Sequence, residues 1–296
     1  YQQDYVEAMG EVKGYPYGSL KNKTIVVLGY KENPLKEAII FSLLSLNDSR
    51  RLNLNIQLIE LGGERDSSPF ALLKDREDIS FYTLDSYKEA SADYIIDTGI
   101  CAFSLKEEGL SPAEVLENAN KALNVAGRLK PQGYILLSDY RAYGEVSQGF
   151  YISEHESGAM PLDSQASLEG QLLRTYETLC ASYGRQYEFK WTIFRCGIIL
   201  GPDISFKGRW IDELLEAFVM GKEQVYKRSN RSYSFLYIND LMTALLKALG
   251  QCPPKVYNLV SRDCTKTLGE IAEALYQRFP DQGDIILKRN EGIVPE

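Results

Sequence analysis

Hydrophobic residues in the first part of the chain fall into two patterns, short continuous runs and positions at helical spacing. The run from Thr24 to Leu28 is rich in β-branched residues and ends at Gly29, which is typical of a buried parallel strand. Asn33 and Pro34 then form a favourable N-cap and first-turn pair, and the apolar residues after them recur at helical spacing. The chain is therefore predicted to open with a strand, a tight turn and a helix.

The same alternation continues as far as Gly201. Apolar runs predict further strands at 55–61, 79–85, 92–100, 134–139 and 190–201, and helical spacing predicts helices at 112–130 and 165–183. Repeated strand–helix–strand units predict an α/β fold, namely a Rossmann-like doubly wound parallel sheet with helices on both faces.

The regular alternation stops after Gly201. Helices are predicted at 210–220, from 240 and from 267, with short strands at 233–238 and 256–260. We therefore predict an N-terminal extension at 1–20, a Rossmann-like domain at 21–200 and a smaller C-terminal α/β substrate lobe at 201–296. The chain begins at Tyr1 and ends with the residues IVPE, and we expect it to be an excerpt of a longer protein.

Charge and hydropathy narrow the classes of partner. The 296 residues include 33 basic and 41 acidic side chains, a formal charge of −8, with no Lys/Arg-rich stretch. Nucleic acids and anionic membrane surfaces require a basic footprint, so neither is expected as a partner. No apolar run approaches the roughly 20 residues that span a bilayer, and the first residues lack the pattern of a signal peptide. We expect a cytoplasmic protein that acts on small molecules.

Cysteine and histidine usage excludes several kinds of chemistry. The five cysteines have no CxxC spacing, which indicates free thiols rather than a zinc site or a disulfide framework. The single histidine, His155, lies in the polar run SEHESG and is typical of a solvated loop. No metal site is predicted.

Several short strings occur in a characteristic order. They are VVLGYKENPL, ADYIIDTGI, the asparagines Asn118 and Asn124, YILLSDYRAYG, FRCGIILGP and RSYSFLYINDL. Together they resemble the NAD-dependent epimerase/dehydratase family, the extended short-chain dehydrogenase/reductases, over roughly 21–285. The resemblance implies NAD as cofactor and a nucleotide-activated sugar as substrate, transformed by transient oxidation at a sugar carbon.

The family's Gly-rich turn, GxxGxxG, falls here on Gly29, Glu32 and Leu35. A carboxylate at Glu32 near the cofactor diphosphate would cost about 2–3 kcal/mol at an effective dielectric constant near 20. We therefore expect NAD and NADP to bind more weakly than millimolar or not at all. The resemblance also places Glu60 at the adenosine ribose and Asp85 at the adenine. Alternatively, both are solvated acids at strand ends.

The family's catalytic Ser/Thr, Tyr and Lys positions fall on Asp139, Glu169 and Leu173. Ser138, one residue before Asp139, would point to the opposite face of the strand. Two carboxylates in one pocket could share a proton and act as a replacement base. Alternatively, Glu169 is a solvated helix residue.

Four further residues are candidates for substrate binding. Tyr140 and Arg141 follow the predicted catalytic strand, and the alternative for both is loop packing. By resemblance, Arg195 lies in a family string and Arg231 in the string that carries a nucleotide-sugar contact.

Three hypotheses for function remain open at this point. The protein is a nucleotide-sugar oxidoreductase, epimerase or dehydratase; or a non-catalytic regulatory or scaffold subunit that binds a nucleotide or nucleotide sugar; or an enzyme of different chemistry that uses Asp139 and Glu169. Helices 112–130 and 165–183 are also predicted to form a homodimer interface. One face of the second helix carries apolar residues at helical spacing, namely Leu168, Leu172, Tyr176, Leu179 and Tyr183. The alternative is that this stripe is core within one chain.

Overall fold

The computed structural model describes residues 15–30, 33–61, 70–102, 104–145, 152–162, 165–206, 208–251, 253–289 and 291–293. The strands within these ranges are β1 (Thr24–Tyr30), β2 (Asn55–Leu61), β3 (Ile79–Thr83), β4 (Tyr94–Asp97), β5 (Gly133–Asp139), β6 (Trp191–Cys196), β7 (Ile198–Leu200), β8 (Glu223–Lys227), β9 (Ser232–Tyr237), β10 (Lys255–Leu259), β11 (Thr265–Thr267) and β12 (Asp284–Lys288). The helices are α1 (Pro34–Arg50), α2 (Leu105–Glu108), α3 (Pro112–Leu129), α4 (Gln165–Tyr187), α5 (Trp210–Val219), α6 (Ile238–Ala248) and α7 (Leu268–Arg278).

Seven of these strands form one parallel sheet in the order β10-β6-β5-β4-β1-β2-β3. Its strands are nearly continuous apolar runs because helices cover both faces. The order reverses between β1 and β4, which is the switch point of a doubly wound fold. The predicted fold class is confirmed.

Helix caps fix where the covering helices begin. The Asn33 side chain accepts a hydrogen bond from the Leu35 amide at 3.0 Å, and Pro34 occupies the first helical position. Ser111 and Glu114 form a capping box at the start of α3. Both predicted helix starts are therefore confirmed.

The segment predicted as one strand at 190–201 is two strands, β6 and β7, divided at Gly197. A Cβ at Gly197 would lie 2.5 Å from the Ser234 carbonyl oxygen, so the glycine permits the chain to pass close to β9. After this break, β7 leaves the central sheet and joins a second sheet of order β11-β9-β7.

Strands cross the predicted domain boundary at residue 200 in both directions. β7 precedes the boundary yet belongs to the second sheet, and β10 follows it yet completes the central sheet. The C-terminal part nevertheless has an apolar cluster of its own, which includes Trp210, Leu214 and Phe218. The exact division stays a prediction.

The apolar stripe of α4 is partly interior. Leu172 and Tyr176 are buried in the core of their own chain, so these two residues are not available to a partner. Leu168, Leu179 and Tyr183 are half-buried at its edge. Within the described ranges, no helix has both the length and the apolar character needed to cross a membrane.

Candidate functional site

The predicted catalytic residues gather at the carboxyl edge of the sheet, where α/β proteins of this kind place their ligands. Asp139 is the last residue of β5, and Glu169 lies in the first part of α4. Both carboxylates are buried. The structure brings them together through Arg141, which follows β5 in a short 3-10 turn.

Arg141 joins the two carboxylates. Its Nη2 lies 2.5 Å from Oδ2 of Asp139, and its Nη1 donates to Oε2 of Glu169. Burial lowers the pKa of the Arg141 guanidinium. Asp139 raises this pKa through its charge and its hydrogen bonds, and Glu169 raises it through its charge. These two carboxylates outweigh burial, so the net shift of the pKa is upward. The cluster is therefore a charged network with Arg141 at its centre.

Backbone amides supply further donors to the same oxygens. Asp139 accepts from the amides of Ala102 and Arg141, each at 2.9 Å. Glu169 accepts from the amide of Leu105 at 2.9 Å. These fixed donors satisfy oxygens of both carboxylates and hold the orientation of each side chain.

Leu173, which the sequence predicts at the position of the family lysine, is apolar and lies away from solvent. Leu173 is buried within the main apolar core, one helical turn after Glu169. Ser138 is directed elsewhere, because its hydroxyl donates to Oε1 of Glu177 at 2.6 Å. Neither residue contributes to the Arg141 cluster.

A further carboxylate, Asp97, is buried at the end of β4 and was not predicted as a site residue. It accepts hydrogen bonds from the hydroxyls of Tyr134 and Tyr176 and, at 2.8 Å, from the Gly99 amide. Burial raises the pKa of Asp97, and the two tyrosine hydrogen bonds lower it by less. An acidic residue that closes an apolar strand run, YIID, was the available signal.

Two of the predicted cofactor residues, Gly29 and Glu60, lie opposite each other on the neighbouring strands β1 and β2. Glu60 Oε1 accepts a hydrogen bond from Lys36 Nζ at 2.6 Å, and the Lys36 side chain has no exposed surface. A Cβ at Gly29 would lie 2.8 Å from Thr98 Oγ1 and 3.0 Å from Lys36 Cβ. Sequence reasoning did not single out Lys36, since no local pattern marks it.

Three further positions were predicted around the cofactor, namely Glu32, Leu35 and Asp85. Leu35 is buried in the core, and Glu32 lies outside the described residues. Asp85 is 86% exposed and lies 3.8 Å from Lys121 Nζ, at a surface groove of about 500 Å³ between the loop after β3 and helix α3.

Arg195, a candidate for substrate binding, is engaged within the fold. Its guanidinium pairs with Glu177, with Nη2 to Oε2 at 2.7 Å, and lies 4.5 Å from the centre of the Tyr143 ring. Burial lowers the pKa of Arg195, but the hydrogen bond and the charge of Glu177 raise this pKa by more, so the net shift is upward.

Arg231, by contrast, is exposed, with its guanidinium 5.5 Å from the ring centre of Tyr233. The Tyr233 ring packs on Trp210 at 4.7 Å, and half-buried Tyr140 packs against the same cluster. Burial raises the pKa of the Tyr140 hydroxyl, and the charge of Arg141 opposes it in part. The structure thus brings Tyr140 and Arg231 to one aromatic cluster of the C-terminal part, whereas Arg195 is paired at the sheet.

No three Cys, His, Asp or Glu side chains are grouped to hold a metal ion in the part of the chain described.

A sequence model of the NAD dependent epimerase/dehydratase family matches residues 72–259, more than half of the chain. The chain belongs to this family. A search of curated protein sequences found no match.

Three solved structures have the same fold as this chain. UDP-glucuronic acid 4-epimerase from Bacillus cereus, in complex with UDP-glucuronic acid and NAD, is 18% identical with a TM-score of 0.71, covering 91% of this chain and 87% of its own. UDP-N-acetylglucosamine 4-epimerase from Methanobrevibacter ruminantium M1, in complex with UDP-N-acetylmuramic acid, is 17% identical with a TM-score of 0.69, covering 93% and 88%. dTDP-glucose 4,6-dehydratase from Bacillus anthracis str. Ames, in complex with NAD, is 13% identical with a TM-score of 0.67, covering 91% and 86%.

Proposed function

We propose that this protein binds a nucleotide-activated sugar but does not carry out the hydride shuttle of its family. One observation carries the proposal: Arg141 holds both Asp139 and Glu169, the residues at the family's Ser/Thr and Tyr positions. A hydroxyl at either position could exchange a proton with a substrate. The two carboxylates already accept hydrogen bonds from a guanidinium and from backbone amides.

A general base must reach the proton that it removes with a free lone pair. For Asp139 or Glu169 to do so, the buried pair with Arg141 would have to open, and separation of buried charges costs several kcal/mol. Leu173 offers no ammonium group that could orient a cofactor or lower the pKa of a neighbouring acid. The ion pairs of Arg141 and the apolar Leu173 therefore suit a structural role and do not supply a general base.

The residues present do not fit a dinucleotide, and the proposal includes no step through NAD. The carboxylate that would accept the ribose hydroxyls, Glu60, is bonded to Lys36, and its side chain is 3% exposed. The space beside Gly29, which a bare glycine would leave for a phosphate, is filled by Lys36 and Thr98.

Nucleotide-sugar binding is supported by the surface around Arg231. Among the described residues, no carboxylate forms an ion pair with its guanidinium, which lies over the Tyr233 ring. An exposed arginine beside aromatic rings suits a diphosphate joined to a base, because the guanidinium binds phosphate oxygens in two-point fashion. UDP-glucuronic acid is bound by the Bacillus cereus epimerase of the same fold.

Titration calorimetry with UDP-glucuronic acid and UDP-N-acetylglucosamine tests the proposal. We expect binding to the unmodified protein without added NAD, weakened about tenfold or more by Arg231→Ala, which corresponds to about 1.4 kcal/mol. Arg228→Ala, a change at an exposed arginine nearby in sequence, is the matched control and should leave binding unchanged. Failure of both sugars to bind at millimolar concentration would overturn the proposal.

A cytoplasmic homodimer is part of the same proposal. The described cysteines Cys101, Cys180, Cys196 and Cys264 are free thiols, which is consistent with a reducing compartment. The half-buried residues of α4 leave an apolar edge that a second copy of the chain could cover.

A further inference from the structure

Lys36 carries an ammonium group with no exposed surface, which is rare for lysine unless the charge is paired. The partner is Glu60, at 2.6 Å from Nζ to Oε1, and its side chain is almost equally buried. Lys36 also lies in the first turn of α1, where the helix dipole disfavours a cation. The position is therefore not explained by helix formation and depends on Glu60.

The pair occupies a specific place on the sheet. β1 and β2 are parallel neighbours, and Gly29 and Glu60 lie opposite each other in their register. In doubly wound folds that bind dinucleotides, an acid at the end of the second strand accepts hydrogen bonds from the adenosine ribose. Lys36 donates to the carboxylate that stands at this place.

The alkyl chain of Lys36 lies against Gly29. A Cβ at Gly29 would lie 3.0 Å from Lys36 Cβ and 3.2 Å from Lys36 Cδ, so the lysine passes directly beside the glycine. On the other side, the Asn33 side-chain amide donates to Thr98 Oγ1 at 3.3 Å and ties the turn to the end of β4. Side chains of Lys36 and Thr98 therefore lie directly beside Gly29.

We propose that Lys36 is a built-in substitute for the adenosine ribose of a dinucleotide. It donates to Glu60 the hydrogen bond that the ribose would donate, and it fills the space that the ribose would occupy. This inference rests on the proposed function only for the absence of NAD chemistry. It concerns the β1–β2 edge, whereas nucleotide-sugar binding is assigned to the surface around Arg231.

Removal of the lysine breaks the buried ion pair with Glu60, which should be destabilising, and should open space beside the carboxylate. Adenosine is the appropriate probe because it carries a vicinal diol and a base but no phosphate. Its binding therefore does not depend on Glu32 or on the Gly-poor turn. The matched ligand is 2′-deoxyadenosine, which lacks one of the two hydroxyls needed for a two-point bond to a carboxylate.

The experiment measures the thermal unfolding midpoint of the unmodified protein and of Lys36→Ser, each with millimolar adenosine or 2′-deoxyadenosine. The unmodified protein should respond to neither nucleoside. Lys36→Ser should unfold about 10 °C lower. Adenosine at ten times its dissociation constant should raise that midpoint by about 3 °C, and 2′-deoxyadenosine should not. Lys190→Ser, a change at an exposed lysine, should behave as the unmodified protein.

If Lys36→Ser does not fold alone, the readout becomes its recovery on refolding with each nucleoside, and selective recovery with adenosine supports the inference. A double change of Lys36→Met with Glu60→Gln, which removes both charges at similar volume, should fold and ignore adenosine. The inference is overturned if adenosine neither stabilises nor recovers Lys36→Ser, or if the unmodified protein binds adenosine or NAD with micromolar affinity. Neither result bears on sugar binding at Arg231, so failure here is distinguishable from failure of the proposed function.

Discussion

Glu177 of helix α4 and Arg195 of strand β6 form a two-point ion pair, with Nε to Oε1 at 3.0 Å and Nη2 to Oε2 at 2.7 Å. Both side chains are largely buried, and the Ser138 hydroxyl donates to the same carboxylate. The pair therefore connects two neighbouring strands of the sheet to the helix that covers them. Because both charges are withdrawn from water, loss of either should cost more than loss of a surface pair.

Arg195→Met should lower the free energy of unfolding by about 3–5 kcal/mol, since the Glu177 carboxylate is left buried without its cation. Urea unfolding followed by circular dichroism measures the change. Arg185→Met, at an exposed arginine of α4, the helix that carries Glu177, should change stability by about 0.5 kcal/mol or less. Equal effects of the two substitutions would show that the buried pair contributes nothing special.

The helices and strands that were predicted correctly are those marked by residues close together in the sequence, such as helix caps and apolar runs. The cap residue of α1 and the first residue of α3 were predicted from sequence, and β2 has the predicted bounds, 55–61. The strands β8 and β12 were missed, because they are short and pair with each other across a long stretch of chain. Pairing between such distant segments is decided by tertiary packing.

In the candidate site, too, the sequence predicted part of the arrangement, and the rest depends on the fold. The positions of Asp139 and Glu169 could be counted from motifs, but the choice of Arg141 as their common partner is a property of the folded chain. Lys36 occupies an ordinary helical position, and only the approach of β2 to α1 places Glu60 beside it. Sequence reasoning identifies such residues by type and cannot assign their partners.

Asp97 should make stability depend on pH. Burial raises its pKa above the ordinary value of 3.8, and the hydrogen bonds from Tyr134 and Tyr176 only partly oppose this. The native state then binds more protons than the unfolded state, so stability is lost as pH rises from 3.8 through the raised native pKa. Asp97→Asn retains an acceptor for the tyrosines and does not titrate.

Relative to the unmodified protein, Asp97→Asn should therefore gain stability as pH rises through this window, by about 1.4 kcal/mol for each unit of pKa difference. Urea unfolding at a series of pH values measures this difference directly. Asp85→Asn, at an exposed carboxylate, should show no comparable trend. A difference between Asp97→Asn and the unmodified protein that is constant with pH would contradict the prediction.

The homodimer prediction now depends on the half-buried part of α4, since Leu172 and Tyr176 are interior. Light scattering should give about twice the chain mass of 33.5 kDa. Leu179→Asp should reduce the mass to that of one chain, because it places a charge in the apolar edge. Leu72→Asp makes the same chemical change at a 95% exposed leucine near β3 and should leave the dimer intact. A concentration-independent mass near 33.5 kDa for the unmodified protein would reject the dimer.

The unmodified protein should show no measurable epimerase or dehydratase turnover on UDP-, GDP- or dTDP-sugars, with or without NAD. Loss of a positioned general acid/base typically removes about 10²–10⁴-fold in rate, and loss of cofactor orientation multiplies that factor. Separation of substrate and product by liquid chromatography measures turnover. Replacing Asp139→Ser, Glu169→Tyr and Leu173→Lys together should not restore it, since Glu32 and Leu35 remain in the turn.

We expect activity to return only when Glu32→Gly and Leu35→Gly are added to that triple variant. Arg141→Ala must be added as well, because the Arg141 guanidinium loses both of its carboxylate partners in the triple variant. The converse result is equally informative. If the unmodified protein converts a sugar nucleotide, Glu169→Gln abolishes the reaction and Glu156→Gln, at an exposed glutamate, does not, then Glu169 acts as a base despite Arg141. The ion cluster would then be a resting state that substrate opens, and the carboxylate chemistry would replace the non-catalytic function.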